Sequence, residues 1–130
     1  MSHIVKGTIE TAYTDRDVLV RSMSNFGNVF QNAPLYRVGA GYTSEKYDLV
    51  LVDKTQDHFR LGFNFKGGLF QPYQEDYGSV GEWTRKVNQG IRDRYIAHTY
   101  ERQLIEEGYN VTIKQLTDGS LEVEAEEASY

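Results

Sequence analysis

His98 is the residue whose type most readily does chemistry. Imidazole ordinarily changes charge near physiological pH, so a histidine can pass protons or meet a ligand. It lies at i+3 from Tyr95 and four residues before Arg102. On a helix those intervals bring side chains together on one face. Arg94, Tyr95, His98 and Arg102 are therefore candidate ligand- or partner-binding residues. Tyr73 and Tyr77 join them, because tyrosine stacks on rings and anchors interfaces. The competing reading of His98 is a core-edge residue bonded to a strand carbonyl or a tyrosine hydroxyl.

Other constellations are weak. His3, His58 and His98 form no local metal-binding pair, so no metal is expected. Asp48, Asp53, Asp57, Glu75 and Asp76 are scattered carboxylates, and the adjacent Glu75-Asp76 reads as a solvated loop. No Gly-x-Ser-x-Gly elbow is present. Gly39-Ala40-Gly41 and Lys66-Gly67-Gly68 lack the dinucleotide and phosphate-loop patterns and read as turns. No catalytic residue and no cofactor are assigned.

Composition narrows the classes. The 130 residues include no cysteine, which removes disulfides, thiolate catalysis and Cys-ligated metals. The net charge of −5 disfavours nucleic-acid and anionic-membrane partners. The longest apolar run, Leu49–Val52, is too short for a signal peptide or a spanning helix. A soluble protein of a reducing compartment is the expectation. The length is that of one domain, 1–130.

The elements that must position these residues can be read in order. Ile4 to Ile9 reads as a strand. Thr14 and Asp15 offer caps for a helix through Val18, Leu19, Met23 and Phe26, which Gly27 would end in a left-handed conformation. Strands follow to Tyr73. Tyr47–Val52 is a central apolar strand, and Asp53–Asp57 turns the chain. Phe59, Leu61, Phe63 and Phe65 alternate with polar residues or glycine, the period of a half-buried strand. Lys66-Gly67-Gly68 makes a hairpin, and Pro72 closes the returning strand. Gln74–Gly78 reads as a loop.

Ser79 and Glu82 form a capping box for a second helix. Trp83, Val87, Ile91, Tyr95, His98 and Ile105 make its apolar stripe. Gly90 weakens its interior, and Gly108 ends it. Arg85, Lys86, Arg92, Arg94 and Arg102 make one side basic, interrupted by Glu82, Asp93 and Glu101. Thr117-Asp118-Gly119-Ser120 joins a last strand pair. From about residue 124 an acidic tail is expected to fray. The order predicts an α+β fold: a mainly antiparallel sheet with two helices, the long one packed on one face.

The order of Met1-Ser2-His3, Tyr47-Asp48-Leu49-Val50, Leu61-Gly62-Phe63, Arg94-Tyr95-Ile96-Ala97-His98-Thr99, Glu107-Gly108-Tyr109-Asn110-Val111 and Asp118-Gly119-Ser120-Leu121 resembles the hypothetical chloroplast reading frame thirty-five family. That family is encoded in plastids, cyanobacteria, other bacteria and phages. The resemblance runs over nearly the whole chain, and Arg-Tyr-x-x-His-Thr is its most specific part. The segment from Lys66 to Trp83 matches only loosely, through Glu75-Asp76-Tyr77-Gly78. The resemblance implies a small soluble domain of the cytoplasm or plastid stroma and carries over no reaction.

The expected function is a small non-enzymatic binding or regulatory module contacting a protein partner or itself. The alternative is a binder of a small anionic ligand such as a nucleotide, using arginines of the long helix and tyrosines of the sheet. The third is an enzyme with a site centred on His98.

Overall fold

The long helix lies against a five-stranded antiparallel sheet, and each element traces to the side chains it must bury. The computed structural model describes residues 4–6 and 12–127. The elements in chain order are β1 (Ile4–Lys6), α1 (Arg16–Met23), β2 (Asn28–Ala33), β3 (Tyr36–Arg37), β4 (Gly41–Tyr42), β5 (Tyr47–Val52), β6 (Arg60–Lys66), β7 (Leu69–Glu75), α2 (Gly78–Glu106), β8 (Tyr109–Gln115) and β9 (Leu121–Glu127). The sheet order is β1-β7-β6-β5-β2, with β3-β4 and β8-β9 as separate two-stranded ribbons. The fold is α+β, as the order of elements predicts. Residues 7–9, expected to extend the first strand, lie outside the described residues. No helix among the described residues is long and apolar enough to cross a membrane.

Alternation assigns the two faces of the sheet. Leu49 and Leu51 on β5 pair in register with Phe63 and Leu61 on β6. All four are fully buried, and they meet Leu19 and Met23 of α1 and Val87, Ile91 and Tyr95 of α2. Val50 and Val52 point the other way and pack with Leu35 and Tyr47. This second cluster explains why β5 reads as a continuous apolar run: both of its faces are covered.

Several sequence expectations are corrected. Asp15 caps α1, its side chain accepting the N–H of Val18 at 3.1 Å. Gly27 does not end that helix. The last cap is Ser24, in right-handed conformation. Gly27 is required by proximity instead: a Cβ there would lie 2.3 Å from the Val52 carbonyl oxygen. β7 does not stop at Pro72 but runs on to Glu75, because β1 pairs with Tyr73, Gln74 and Glu75 along its other edge. The interior strand β5 is second from the edge, and β6 is the central one.

The Ser79–Glu82 capping box does not form. α2 starts at Gly78, whose φ of +59° turns the chain into the helix, and its N-cap Tyr77 makes no side-chain cap bond. Ser79 is thereby placed inside the first turn. The stripe holds through Val87, Ile91, Tyr95 and His98, all buried. Ile105 breaks it, at 55% exposure. Gly90 also makes room for a neighbour: a Cβ there would lie 2.4 Å from the Phe26 ring. Residues 124–127, expected to fray, are paired in β9 with residues 109–112.

Candidate functional site

The six sequence candidates do not converge on one site. Arg94, Tyr95, His98 and Arg102 share α2, yet each contacts a different neighbour. Tyr95 is buried, and its hydroxyl accepts the backbone N–H groups of Thr14 and Asp15, each at 3.1 Å. Its ring meets Tyr13 edge-on at 4.9 Å. Burial pushes the Tyr13 hydroxyl pKa up to about 12. This pair ties the segment before α1 to α2.

His98 is buried at the α1–α2 contact. Its Nδ1 lies 3.6 Å from Glu101 Oε1, and the same Glu101 oxygen accepts Arg21 Nη1 of α1 at 2.6 Å. The expected bond to a strand carbonyl or tyrosine hydroxyl is absent among the described residues. Burial, followed by the positive charge of Arg21, holds the imidazole below its ordinary pKa despite Glu101. The imidazole is thus enclosed where α2 meets α1.

Arg102 is exposed and pairs with Asp15 at 2.5 Å. The N–H of Val18 and then Arg102 hold the Asp15 carboxyl below the usual range. Arg94 reaches Gln115 of β8 at 3.3 Å. Tyr73 lies on the sheet face away from the helices, where its ring meets Tyr47 at 5.5 Å. Tyr77 is exposed at the start of α2. Three basic side chains of α2 reach outside the helix, Arg85 to Asp76, Arg94 to Gln115 and Arg102 to Asp15, while Arg92 bonds Gln89 within it.

Two arrangements lie beyond what local spacing indicates. Tyr36 stacks on His58 with centroids 3.8 Å apart and planes within 2°. Tyr42 meets both edge-on, and Arg60 lies over its ring at 4.8 Å. Asp57 joins them, accepting from Tyr42 and Arg60. Arg60 also donates to the Pro34 carbonyl at 3.1 Å, which ties the cluster to the segment before β3. Glu75, read as solvated, is 1% exposed, and its Oε2 accepts the Val38 N–H at 2.8 Å. Its burial follows from β7 running past Pro72 to Glu75, where β1 pairs with it.

A surface feature with an open side lies on α2. Ile96 and Tyr100 are 52% and 50% exposed, one turn apart. They form an i, i+4 ridge. Both line a groove of about 370 Å³ shared with Ala12 and Thr14. Both also line a second, of about 340 Å³, shared with Leu121 and Val123 of β9. A third cleft, of about 430 Å³, lies between α2 and the β8–β9 turn. It carries Lys86 and Arg94 but also Asp93 and Asp118, a mixed set rather than an anion cradle.

Among the described residues no three His, Asp or Glu side chains gather closely enough to hold a metal ion. No family model matches the chain, and no curated protein or solved structure matches it.

Proposed function

We propose that the chain is a small non-enzymatic binding module that contacts a protein partner through the Ile96–Tyr100 ridge of α2. The observation that carries this reading is the ridge itself. Two large side chains stand half exposed on a regular helix, with an apolar-walled groove on either side. An aromatic and an aliphatic anchor of this kind are what protein interfaces bury at their centre. The buried positions of Tyr95 and His98 support the same reading, since the Tyr95 hydroxyl is engaged by the Thr14 and Asp15 N–H groups and neither side chain faces an open cleft at its polar atoms.

The test is a photo-crosslinking amino acid placed at Tyr100 of the full chain, produced in its own host, with Glu45, exposed in the loop before β5, as control. A protein adduct at position 100 and none at 45 is expected. No protein adduct at 100, or equal adducts at both positions, overturns the reading.

A further inference from the structure

Building on that reading, we infer that the occupant of the ridge is a second copy of this chain, with the two α2 helices antiparallel about a two-fold axis between Ile96 and Tyr100. Shape is the first argument. A two-fold interface must be self-complementary, the same patch serving as donor and receiver. A ridge flanked by grooves meets that requirement: each copy's Ile96–Tyr100 ridge enters a groove of the other and leaves its own groove for the other's ridge.

Charge fixes the direction. The first half of α2 carries Arg85, Lys86 and Arg92 against Glu82. The end of the helix and its cap carry Glu106 and Glu107, both exposed. An antiparallel arrangement brings the basic half of one copy to the acidic end of the other. A parallel arrangement would set Glu106 and Glu107 beside their own copies. The helix macrodipoles favour the same choice. The axis between Ile96 and Tyr100 places Gln89 of one copy opposite Glu107 of the other, since both stand nine residues from it and both are exposed.

The chain has no cysteine, which makes a direct geometric test available. Gln89→Cys and Glu107→Cys are made separately in the full chain and then mixed under mild oxidation. The mixture is expected to form the 89–107 cross-linked dimer, with far less product from either variant alone. Efficient self-linking of each variant would mean parallel helices and would overturn the inference. Sedimentation of the cysteine-free chain should show a concentration-dependent dimer. Ile96→Glu should weaken it by about tenfold or more, with helical circular dichroism unchanged. Ile96→Met, which keeps the apolar ridge, should retain it. A dimer indifferent to Ile96→Glu overturns the inference, and so does a chain that stays monomeric at the highest concentration reached. A monomer that still gives the Tyr100 adduct with a different protein overturns only the second-copy inference. A monomer with no adduct overturns the protein-binding reading as well.

Discussion

The hydroxyl of Tyr95 lies 3.1 Å from the backbone nitrogen of Asp15, the residue whose side chain caps α1. One oxygen on the long helix thus holds the start of the short one, and it accepts the Thr14 N–H at the same distance. Tyr95→Phe keeps the ring against Tyr13 and removes only this acceptor. Leaving partly buried N–H groups unpaired costs about 1–3 kcal/mol. The expected outcome is a lower urea midpoint at unchanged slope. An unchanged midpoint would mean that water replaces the hydroxyl without loss.

Gly90→Ala sets two effects against each other. Alanine favours a helix interior over glycine by about 1 kcal/mol. The new methyl would stand 2.4 Å from the Phe26 ring, and overpacking costs about 1–3 kcal/mol. Packing should win, giving net destabilisation in a denaturant melt. Phe26→Leu in the same chain should recover part of the loss. A stabilised single variant would show that Phe26 swings away freely.

His98 makes stability depend on pH in a defined direction. Burial holds its folded pKa below the unfolded value of about 6.5. Above that value both states are neutral and the residue contributes no pH dependence. As pH falls below it, the unfolded chain takes up the proton first, so folded stability drops until the folded pKa is reached. Thermal melts from pH 8 down to pH 5 should show this loss, and His98→Gln should reduce it. The direct check is the imidazole titration by NMR, where a midpoint at or above 6.5 would refute the account.

Tyr42 and Asp57 are linked by a 2.6 Å hydrogen bond. That bond is the largest cause holding the Asp57 carboxyl below its ordinary pKa, ahead of Arg60. Tyr42→Phe should raise the Asp57 midpoint in a carboxylate-carbon NMR titration. A midpoint unmoved by the substitution would assign the effect to Arg60.

Periodicity reads most of the fold, because it reports which residues must leave water. The alternation around Leu61 and Phe63 and the stripe through Val87, Ile91 and Tyr95 each describe one face of one element, and those faces are buried. Boundaries were less legible. The capping box lost to Gly78 because a backbone turn, not a side chain, starts α2. Pro72 did not end β7 because β1, distant in sequence, pairs beyond it.

The candidate site divides in the same way. Arg94, Tyr95, His98 and Arg102 were legible as neighbours on a helix, and they are neighbours. Their partners Gln115, Asp15 and Glu101 with its bond to Arg21 come largely from other elements, which helical spacing does not reach. Ile96 looks like any apolar residue in sequence. Only the placement of the 12–14 segment on one side and β9 on the other leaves it exposed between two grooves. Local pattern determined the elements and their buried faces, since burial follows from side-chain chemistry and period. Tertiary structure decided what remained uncovered, since that depends on where separate segments come to rest.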